Sequence, residues 1–157
     1  MNEHEQFMDE AIKLAVDGVM AGDGGPFGAI VVKDGKIVGR GNNLVTSIND
    51  PTAHAEIMAI RDACKNLNTF QLSGCVLYTS CEPCPMCFGA IYWARLDKVY
   101  YSANRHLASS HGFDDSFIYD EVNLPFNRRR IPFIPISSEK GIVPFREWDK
   151  KESKIKY

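Results

Sequence analysis

The sequence predicts an α/β fold in which helices cover both faces of a mixed β-sheet. Apolar residues recur at helical spacing over residues 3–21, which indicates an N-terminal amphipathic helix. Residues 27–32 and 36–42 are strand-like and are separated by Asp34-Gly35, a strong hairpin signal. Farther along, strand-like and helix-like segments alternate, which is typical of a sheet with helices on both sides. We expect the 157 residues to form one domain, because this length suits a sizeable core.

The central part of the chain contains the alternating segments. The sequence Asn-Asp-Pro-Thr at 49–52 favours a helix start, and this helix is predicted to end near residue 66. Residues 75–79 and 98–102 are strand-like. The predicted helix between them, over 84–95, is apolar nearly all round, so we expect it to be buried.

The C-terminal third has less regular patterns. Residues 104–128 are predicted to form a loop that contains a helix around 115–121. Residues 131–136 are strand-like, but Pro132 and Pro135 cannot donate to a ladder and restrict the segment to a sheet edge. A last helix is predicted from near Val143 towards the C-terminus.

Composition and charge favour a small-molecule substrate. Lys and Arg number 18 against 20 Asp and Glu, and the resulting formal charge of −2 fits RNA or DNA binding poorly. No apolar run approaches the roughly 18 residues of a membrane span, and the polar, acidic N-terminus is unlike a signal peptide. Three of the five cysteines cluster at 81, 84 and 87, which favours a metal site in a reducing compartment. We therefore expect a cytoplasmic protein without nucleic-acid or membrane partners.

Two short motifs, about thirty residues apart, combine metal ligands with a carboxylate. The first is His54-Ala55-Glu56, and the second is a Pro-Cys-Pro-Met-Cys run that contains Cys84 and Cys87. A catalytic zinc takes three protein ligands and keeps one position open for water. The histidine and the two cysteines supply such a set, and Glu56 remains as a proton carrier. The pattern predicts one Zn²⁺ per chain and hydrolytic chemistry.

Helix positions bear on this ligand set in two ways. Cys84 and Cys87 are three residues apart, so they share one side of the first turn of their predicted helix. A helix N-terminus lowers the pKa of a thiol and favours the thiolate that a metal needs. His54 and Glu56 are two residues apart, however, and would point to nearly opposite sides of an ideal helix. Both can reach one metal only near a helix end.

Two other interpretations of the cysteines stay open. Cys81 would complete a structural four-ligand zinc site with the other three ligands, and Glu56 would then have no role. Alternatively, Cys84 and Cys87 would form a redox-active Cys-x-x-Cys pair, which leaves His54 and Glu56 unexplained.

Three motifs give the chain a resemblance to the cytidine deaminase-like superfamily of zinc nucleobase deaminases. They are Gly-Gly-Pro-Phe-Gly-Ala at 24–29, Asn-Asp-Pro-Thr-Ala-His-Ala-Glu at 49–56 and Thr-Ser-Cys-Glu-Pro-Cys-Pro-Met-Cys at 79–87. Within the superfamily the chain resembles the bacterial guanine deaminases, through Phe-Asp-Asp-Ser-Phe-Ile-Tyr at 113–119 and the C-terminal Lys156-Tyr157. The resemblance implies a three-layer α-β-α sandwich around a five-stranded mixed sheet.

The resemblance also implies a reaction and further site residues. The reaction is hydrolytic deamination of guanine to xanthine and ammonia by a zinc-activated water, with Glu56 as proton shuttle. Asn43 is implied as a contact to the base and Phe27 as a stacking wall. In that family a C-terminal segment covers a pocket and is exchanged between the chains of a dimer. We therefore expect a homodimer, with 140–157 as the candidate exchanged segment and Tyr157 as a candidate substrate contact.

A carboxylate suits the edge of guanine that carries the N1–H and the 2-amino group, because both groups donate and a carboxylate only accepts. Asp114 and Asp115 are the candidates, and the alternative is that one or both cap a helix. The resemblance favours Asp115. Several aromatic side chains would also suit a flat ring, although we expect most of them in the core: Trp93, Phe113, Phe117 and Tyr157.

The sequence is also compatible with other functions. A tRNA adenosine deaminase would use the same metal motif. It needs a basic groove to bind RNA, however, and the obvious basic clusters in this sequence are only those at 128–130 and 150–151. A guanosine deaminase would differ only in having space in its pocket for the ribose. Deamination of cytosine or cytidine, and a structural zinc module without catalysis, are further alternatives.

Overall fold

The chain divides into two compact units, Met1–Ser116 and Phe117–Tyr157, in a computed structural model that describes residues 2–136 and 139–157. The first unit contains the sheet and four helices. The second contains short helical segments. The organisation of the whole chain as one domain stays a prediction.

A mixed sheet of four strands forms the centre of the first unit, in the order β2-β1-β3-β4. The strands are β1 (Gly28–Lys33), β2 (Lys36–Asn42), β3 (Cys75–Cys81) and β4 (Lys98–Ala103). Strand β1 pairs antiparallel with both β2 and β3, and β3 pairs parallel with β4. At the predicted hairpin, Asp34 and Gly35 have φ angles of 49° and 70°, the left-handed geometry of a tight two-residue turn.

Helices cover both faces of this sheet, as predicted. Helix α1 (Glu3–Ala21) places Ala11 against Ile30 of β1 in one buried cluster. Helices α2 (Ala55–Leu67) and α3 (Pro85–Trp93) pack on the other face, where Ala59 meets Val31 of the same strand. Neighbouring residues of β1 are therefore buried on opposite faces, because side chains alternate along a strand. The three-layer α-β-α arrangement is confirmed.

Helix α2 packs directly on the backbone of β2. A Cβ added to Gly39 would lie 2.5 Å from the carbonyl oxygen of Ala59, and one added to Gly41 would lie 2.4 Å from that of Ala55. Only glycine on the strand allows so close an approach. This contact fixes where α2 begins, and the beginning of α2 carries His54 and Glu56.

The predicted number of five strands is wrong for the described residues, which form four. The segment 131–136, predicted as an edge strand, contains no strand. Pro132 and Pro135 remove two backbone donors from six residues, so the segment has too few N–H groups for a regular ladder.

The prediction that the helix over 84–95 is buried is wrong on one side. Cys87 and Ile91 of α3 are buried, but Phe88 is 55% and Tyr92 68% exposed. A helix that packs on a sheet buries one face, and apolar composition on the opposite face does not by itself supply a partner. The outer face of α3 therefore carries exposed aromatic side chains.

The remaining helices are short. They are α4 (Arg105–Ser110), α5 (Ser116–Asn123) and α6 (Val143–Lys150), with 3₁₀ turns at Phe126–Arg128 and Glu139–Ile142. Helix α4 was not predicted, α5 lies close to the predicted 115–121, and α6 begins at the predicted Val143 but does not continue beyond Lys150. Among the helices of the described ranges, none has the length and apolar character to cross a bilayer.

Candidate metal centre and active site

His54 is the N-cap of α2 and has extended backbone angles, with φ −69° and ψ 156°. The helix begins later than the predicted 49–52 because Asp50 closes a turn there, accepting a hydrogen bond from the Thr52 N–H at 2.8 Å. Glu56 lies in the first helical turn. The opposite directions expected for two residues on an ideal helix therefore do not apply, because His54 lies just outside the helix.

Cys84 occupies the equivalent position at α3. It is the N-cap, with φ −70° and ψ 170°, rather than part of the first turn as predicted. Pro85 follows at the start of the helix, where the missing N–H costs nothing. The Cys84 Sγ accepts a hydrogen bond from the Cys87 N–H at 3.5 Å. The N-cap residues of two helices, His54 and Cys84, thus lie close together.

The potential ligand atoms of His54, Cys84 and Cys87 have the spacing that zinc requires. The Nδ1 of His54 lies 3.5 Å from the Cys84 Sγ and 3.6 Å from the Cys87 Sγ. Tetrahedral zinc with ordinary Zn–N and Zn–S bonds separates neighbouring ligand atoms by roughly 3.6–3.8 Å. The one nitrogen and two sulfurs therefore fit a zinc ion and leave a fourth position for water or substrate.

Cys81 does not join this group among the described residues. Its Sγ lies 4.0 Å from the Asn104 carbonyl oxygen, and burial raises the pKa of its thiol to about 11. The thiol is therefore directed at the backbone just before α4. The geometry therefore favours three ligands over the alternative site of three cysteines and one histidine.

The two candidate sulfur ligands share one negative charge in the metal-free protein. Hydrogen bonds from Cys87 and His54 lower the pKa of the Cys84 thiol to about 4. The hydrogen bond to Cys84, together with burial, raises the pKa of the Cys87 thiol. The hydrogen bond to the Cys84 sulfur also raises the pKa of His54. A zinc ion bound by these three atoms would displace the proton of the Cys87 thiol and any proton on the His54 Nδ1.

Glu56 lies beside this group and is nearly inaccessible. It is 6% exposed, and its Oε2 lies 3.4 Å from the Cys87 Sγ. Burial raises the pKa of its carboxyl, which brings the protonated form closer to neutral pH. A carboxyl of this kind can both accept and return a proton during one reaction.

Asn43 and Phe27 are joined to each other and to the start of the His54 motif. The Asn43 N–H donates to the Phe27 carbonyl at 3.1 Å, and the Leu44 N–H donates to Ala53, next to His54, at 3.0 Å. The Phe27 ring packs edge-on against Phe113 at 5.0 Å between ring centres. Two residues predicted to contact the base thus belong to the same neighbourhood as the metal group.

The two candidate aspartates are distinguished by their surroundings. Asp114 accepts a hydrogen bond from the Ser116 N–H at 2.9 Å just before α5, so its carboxylate closes a local turn. Asp115 is partly buried, and burial and the Cys84 thiolate raise the pKa of its carboxyl. That influence places Asp115 within electrostatic reach of the metal group. Asp115 stays the candidate that the resemblance implies, and its contact with the base stays a prediction.

The other aromatic candidates are not in the core. Trp93 is 65% exposed, while Phe113 and Phe117 are each 43% exposed. Tyr157 belongs to the second unit and is 70% exposed. Its contact with substrate stays a prediction.

An apolar cavity of about 520 Å³ in the first unit borders this neighbourhood and shares Phe27 with it. Its lining includes Ile12 and Val16 of α1, Phe27 and Phe113, but none of the candidate zinc ligands. The polar chemistry is concentrated at the metal group, so we place the reaction there.

The sequence analysis missed Asp23, which holds the loop beside Asn43. Its carboxylate accepts a hydrogen bond from the Asn42 side chain at 2.8 Å. The available signal was an acidic residue inside a glycine-rich loop opposite an Asn-Asn pair, but turn-forming aspartates are too common for that signal to stand alone.

Comparison with known proteins identifies the family. The family described as "Cytidine and deoxycytidylate deaminase zinc-binding region" matches residues 1–103. Guanine deaminase of Bacillus subtilis is 54% identical over 154 residues, which cover 98% of this chain and 99% of that protein. The tRNA-specific adenosine deaminase of Aquifex aeolicus is 44% identical over 108 residues, or 69% of each chain.

The same relationship appears in three dimensions. The X-ray structure of guanine deaminase from Bacillus subtilis superimposes with a TM-score of 0.97 at 55% identity, over 100% of this chain and 99% of that one. The zinc-binding profile and the His-Cys-Cys group together establish zinc as the cofactor. The chain belongs to the cytidine and deoxycytidylate deaminase zinc-binding family.

Proposed function

We propose that this protein is a guanine deaminase that hydrolyses guanine to xanthine and ammonia with one zinc ion per chain. The observation that carries this proposal is the extent of the similarity to guanine deaminase, which reaches 98% of the chain, whereas the similarity to the tRNA deaminase reaches 69%. The similarity to guanine deaminase extends past residues 1–103, the zinc-binding region, into the part of the chain that contains Asp115. A cytoplasmic location belongs to the proposal, because free cysteines that serve as metal ligands favour a reducing compartment.

His54, Cys84 and Cys87 would hold the zinc ion, since their ligand atoms have the required spacing. When bound, zinc would supply Lewis-acid polarisation and a lowered pKa for the attacking water. Its two thiolate ligands would balance its charge, while the neutral imidazole adds none.

Glu56 would carry the proton through the reaction. Its carboxylate takes a proton from the attacking water as the oxygen bonds to C2 of guanine. It returns that proton to the ring nitrogen N3. The second proton of the attacking water then passes to the 2-amino group, so that the C2–N bond breaks with its electron pair on nitrogen and ammonia leaves. The buried position and raised pKa of Glu56 suit both directions of transfer. The carbonyl formed at C2 completes xanthine.

Asn43, Phe27 and Asp115 would hold the base. The Phe27 ring offers a flat apolar surface, and the Asn43 amide offers a hydrogen-bond donor. The Asp115 carboxylate would accept from the donors on the edge of guanine. Adenine lacks this pair of adjacent donors, so the same carboxylate would discriminate against it.

Asp115→Asn should lower kcat/KM for guanine by at least about tenfold. The substitution places a donor where two donors must be met, and an unmatched buried donor costs about 1–3 kcal/mol. Asp114→Asn is the matched control, because the exposed Asp114 carboxylate is used in a local turn with the Ser116 N–H and should contribute little to binding. Steady-state kinetics on guanine and adenine would measure both effects. An unchanged preference for guanine in both variants would exclude a carboxylate reader at these positions.

A substrate panel tests the proposed function. Ammonia release from guanine, guanosine, adenine and cytidine should be measured with the zinc-loaded protein, together with inosine formation in a tRNA substrate. We expect guanine to be the preferred substrate by a wide margin. Faster turnover of guanosine would make the protein a nucleoside deaminase, and efficient inosine formation would place it with the tRNA deaminases.

We also propose a homodimer in which the C-terminal segment 140–157 is exchanged and Tyr157 closes the partner's site. The exposed aromatic face of α3, with Phe88 and Tyr92, is of the kind that marks interaction surfaces. A closed site would exclude water and strengthen electrostatic interactions near the zinc. Tyr157→Phe should then lower guanine turnover without changing zinc content. Wild-type kinetics in that variant, or a monomer by analytical ultracentrifugation, would count against this part of the proposal.

A further inference from the structure

The amide of Asn43 has a fixed orientation. Its Oδ1 accepts hydrogen bonds from the Val45 N–H at 3.1 Å and from the Gly25 N–H at 3.4 Å. An amide oxygen accepts two such bonds, so the acceptor side is fully used. The NH₂ group must therefore point away from the 23–25 loop, towards the other side of the side chain.

The donor side of this amide remains available. Within residues 2–136 and 139–157, no hydrogen bond involves the Nδ2 of Asn43, and no inaccessible side-chain nitrogen or oxygen lacks a partner. The Nδ2 atom is therefore reached by solvent even though the residue is only 7% exposed. A buried amide with one accessible donor is well suited to present that donor to a ligand.

The backbone of the loop at residues 23–25, which fixes the amide oxygen of Asn43, packs closely against Asn43. A Cβ added to Gly24 would lie 2.4 Å from the Asn43 Oδ1 and 2.6 Å from its carbonyl oxygen. Real Cβ atoms essentially never come within 3.0 Å of such atoms. The backbone at Gly24 therefore packs directly on the Asn43 amide, and a side chain at this position would not fit.

Asp23 ties this loop to the elements on both sides. Its N–H donates to the Gly18 carbonyl of α1 at 2.9 Å, and its own carbonyl accepts from the Thr46 hydroxyl at 3.3 Å. Its carboxylate accepts from the Asn42 Nδ2 at 2.8 Å. Of these three bonds, only the last depends on the side chain of Asp23. It links the loop to the residue that immediately precedes Asn43.

From this arrangement we infer that Asp23 is a positioning residue for substrate recognition. Its carboxylate holds Asn42 and the loop in place, and the N–H groups of the loop and of Val45 then set the Asn43 amide with its NH₂ group towards the base. Asp23 acts through Asn43 and does not contact the substrate. The inference rests on the proposed function only in identifying the ligand as guanine.

A double-mutant cycle with Asp23→Ala, Asn43→Ala and the combined variant tests the inference. Asp23→Ala should lower kcat/KM for guanine about three- to tenfold, mainly through KM, because a hydrogen bond contributes about 0.5–1.5 kcal/mol. Asp23→Asn should restore most of the activity, since its amide oxygen can still accept from Asn42. Asp17→Ala, which removes an exposed carboxylate from α1, should behave as wild type. In the Asn43→Ala background, Asp23→Ala should have almost no further effect.

A second measurement does not require guanine turnover. In ¹H–¹⁵N spectra of the zinc-loaded protein, the side-chain NH₂ signals of Asn43 should shift or broaden in Asp23→Ala and stay in place in Asp23→Asn and Asp17→Ala. Loss of guanine activity in the wild type would refute the proposed function but leave this readout intact. Unchanged Asn43 signals in Asp23→Ala, or a full additional loss of activity in the Asn43→Ala background, would overturn the inference.

Discussion

Glu56→Gln should retain zinc and lose roughly 10²–10⁴-fold in kcat, the usual scale for removal of a general acid–base. The amide has the size of the carboxyl but cannot take up the proton of the attacking water. Glu56 is 6% exposed and lies 3.4 Å from the Cys87 sulfur, so the substitution removes one charge without opening the site. The test is to measure kcat at saturating guanine and the zinc content of the same sample.

The matched control is Glu10→Gln, the same chemical change on the exposed side of α1. It should leave both zinc content and kcat unchanged. If Glu56→Gln turned over guanine at a near-normal rate, another group would have to carry the proton. If it lost its zinc instead, Glu56 would have to support the metal group as well as the reaction.

Cys84→Ala should lose most of its zinc and with it the activity. The affinity for zinc should fall by more than the roughly 10–100-fold that accompanies loss of a supporting residue around a metal site, because a ligand itself is removed. Cys84 also carries the negative charge of the group in the metal-free protein, since its pKa is lowered to about 4. Elemental analysis after dialysis, and competition with a chelator, would measure the loss.

Cys81→Ala is the control for the zinc assignment, because Cys81 lies only three residues before Cys84 but its thiol faces the Asn104 carbonyl. This variant should keep its zinc. Zinc loss in Cys81→Ala would restore the four-ligand structural site that the sequence had left open, and Glu56 would lose its proposed role.

The sequence predicted the layers of the fold because local patterns determined them. The apolar spacing of α1, the Asp34-Gly35 turn and the alternation of strands with helices are all short-range signals, and the structure contains each element. The segment 131–136 was predicted as a strand from its apolar residues, yet its prolines remove the donors that a strand needs. The exposure of α3 could not be predicted, because apolar composition does not show which faces of a helix find partners.

The metal group was predictable because its chemistry depends on residue type and spacing. His54, Cys84 and Cys87 come together as the motifs suggested, and the extended backbone of His54 explains how Glu56 reaches the same place. The role of Asp23 was not predictable from the sequence. It depends on the contact of a loop with an amide about twenty residues away, and only the folded chain shows that contact.

The most direct measurement of the central claim is xanthine formation from guanine by the purified protein before zinc removal, after removal with a chelator, and after zinc is restored. We predict rapid formation of xanthine with an equal amount of ammonia, loss of this activity with the metal, and recovery when about one zinc per chain is bound again. Xanthine formation that persists in the zinc-free protein would contradict the account, and so would a zinc-loaded protein that leaves guanine unchanged.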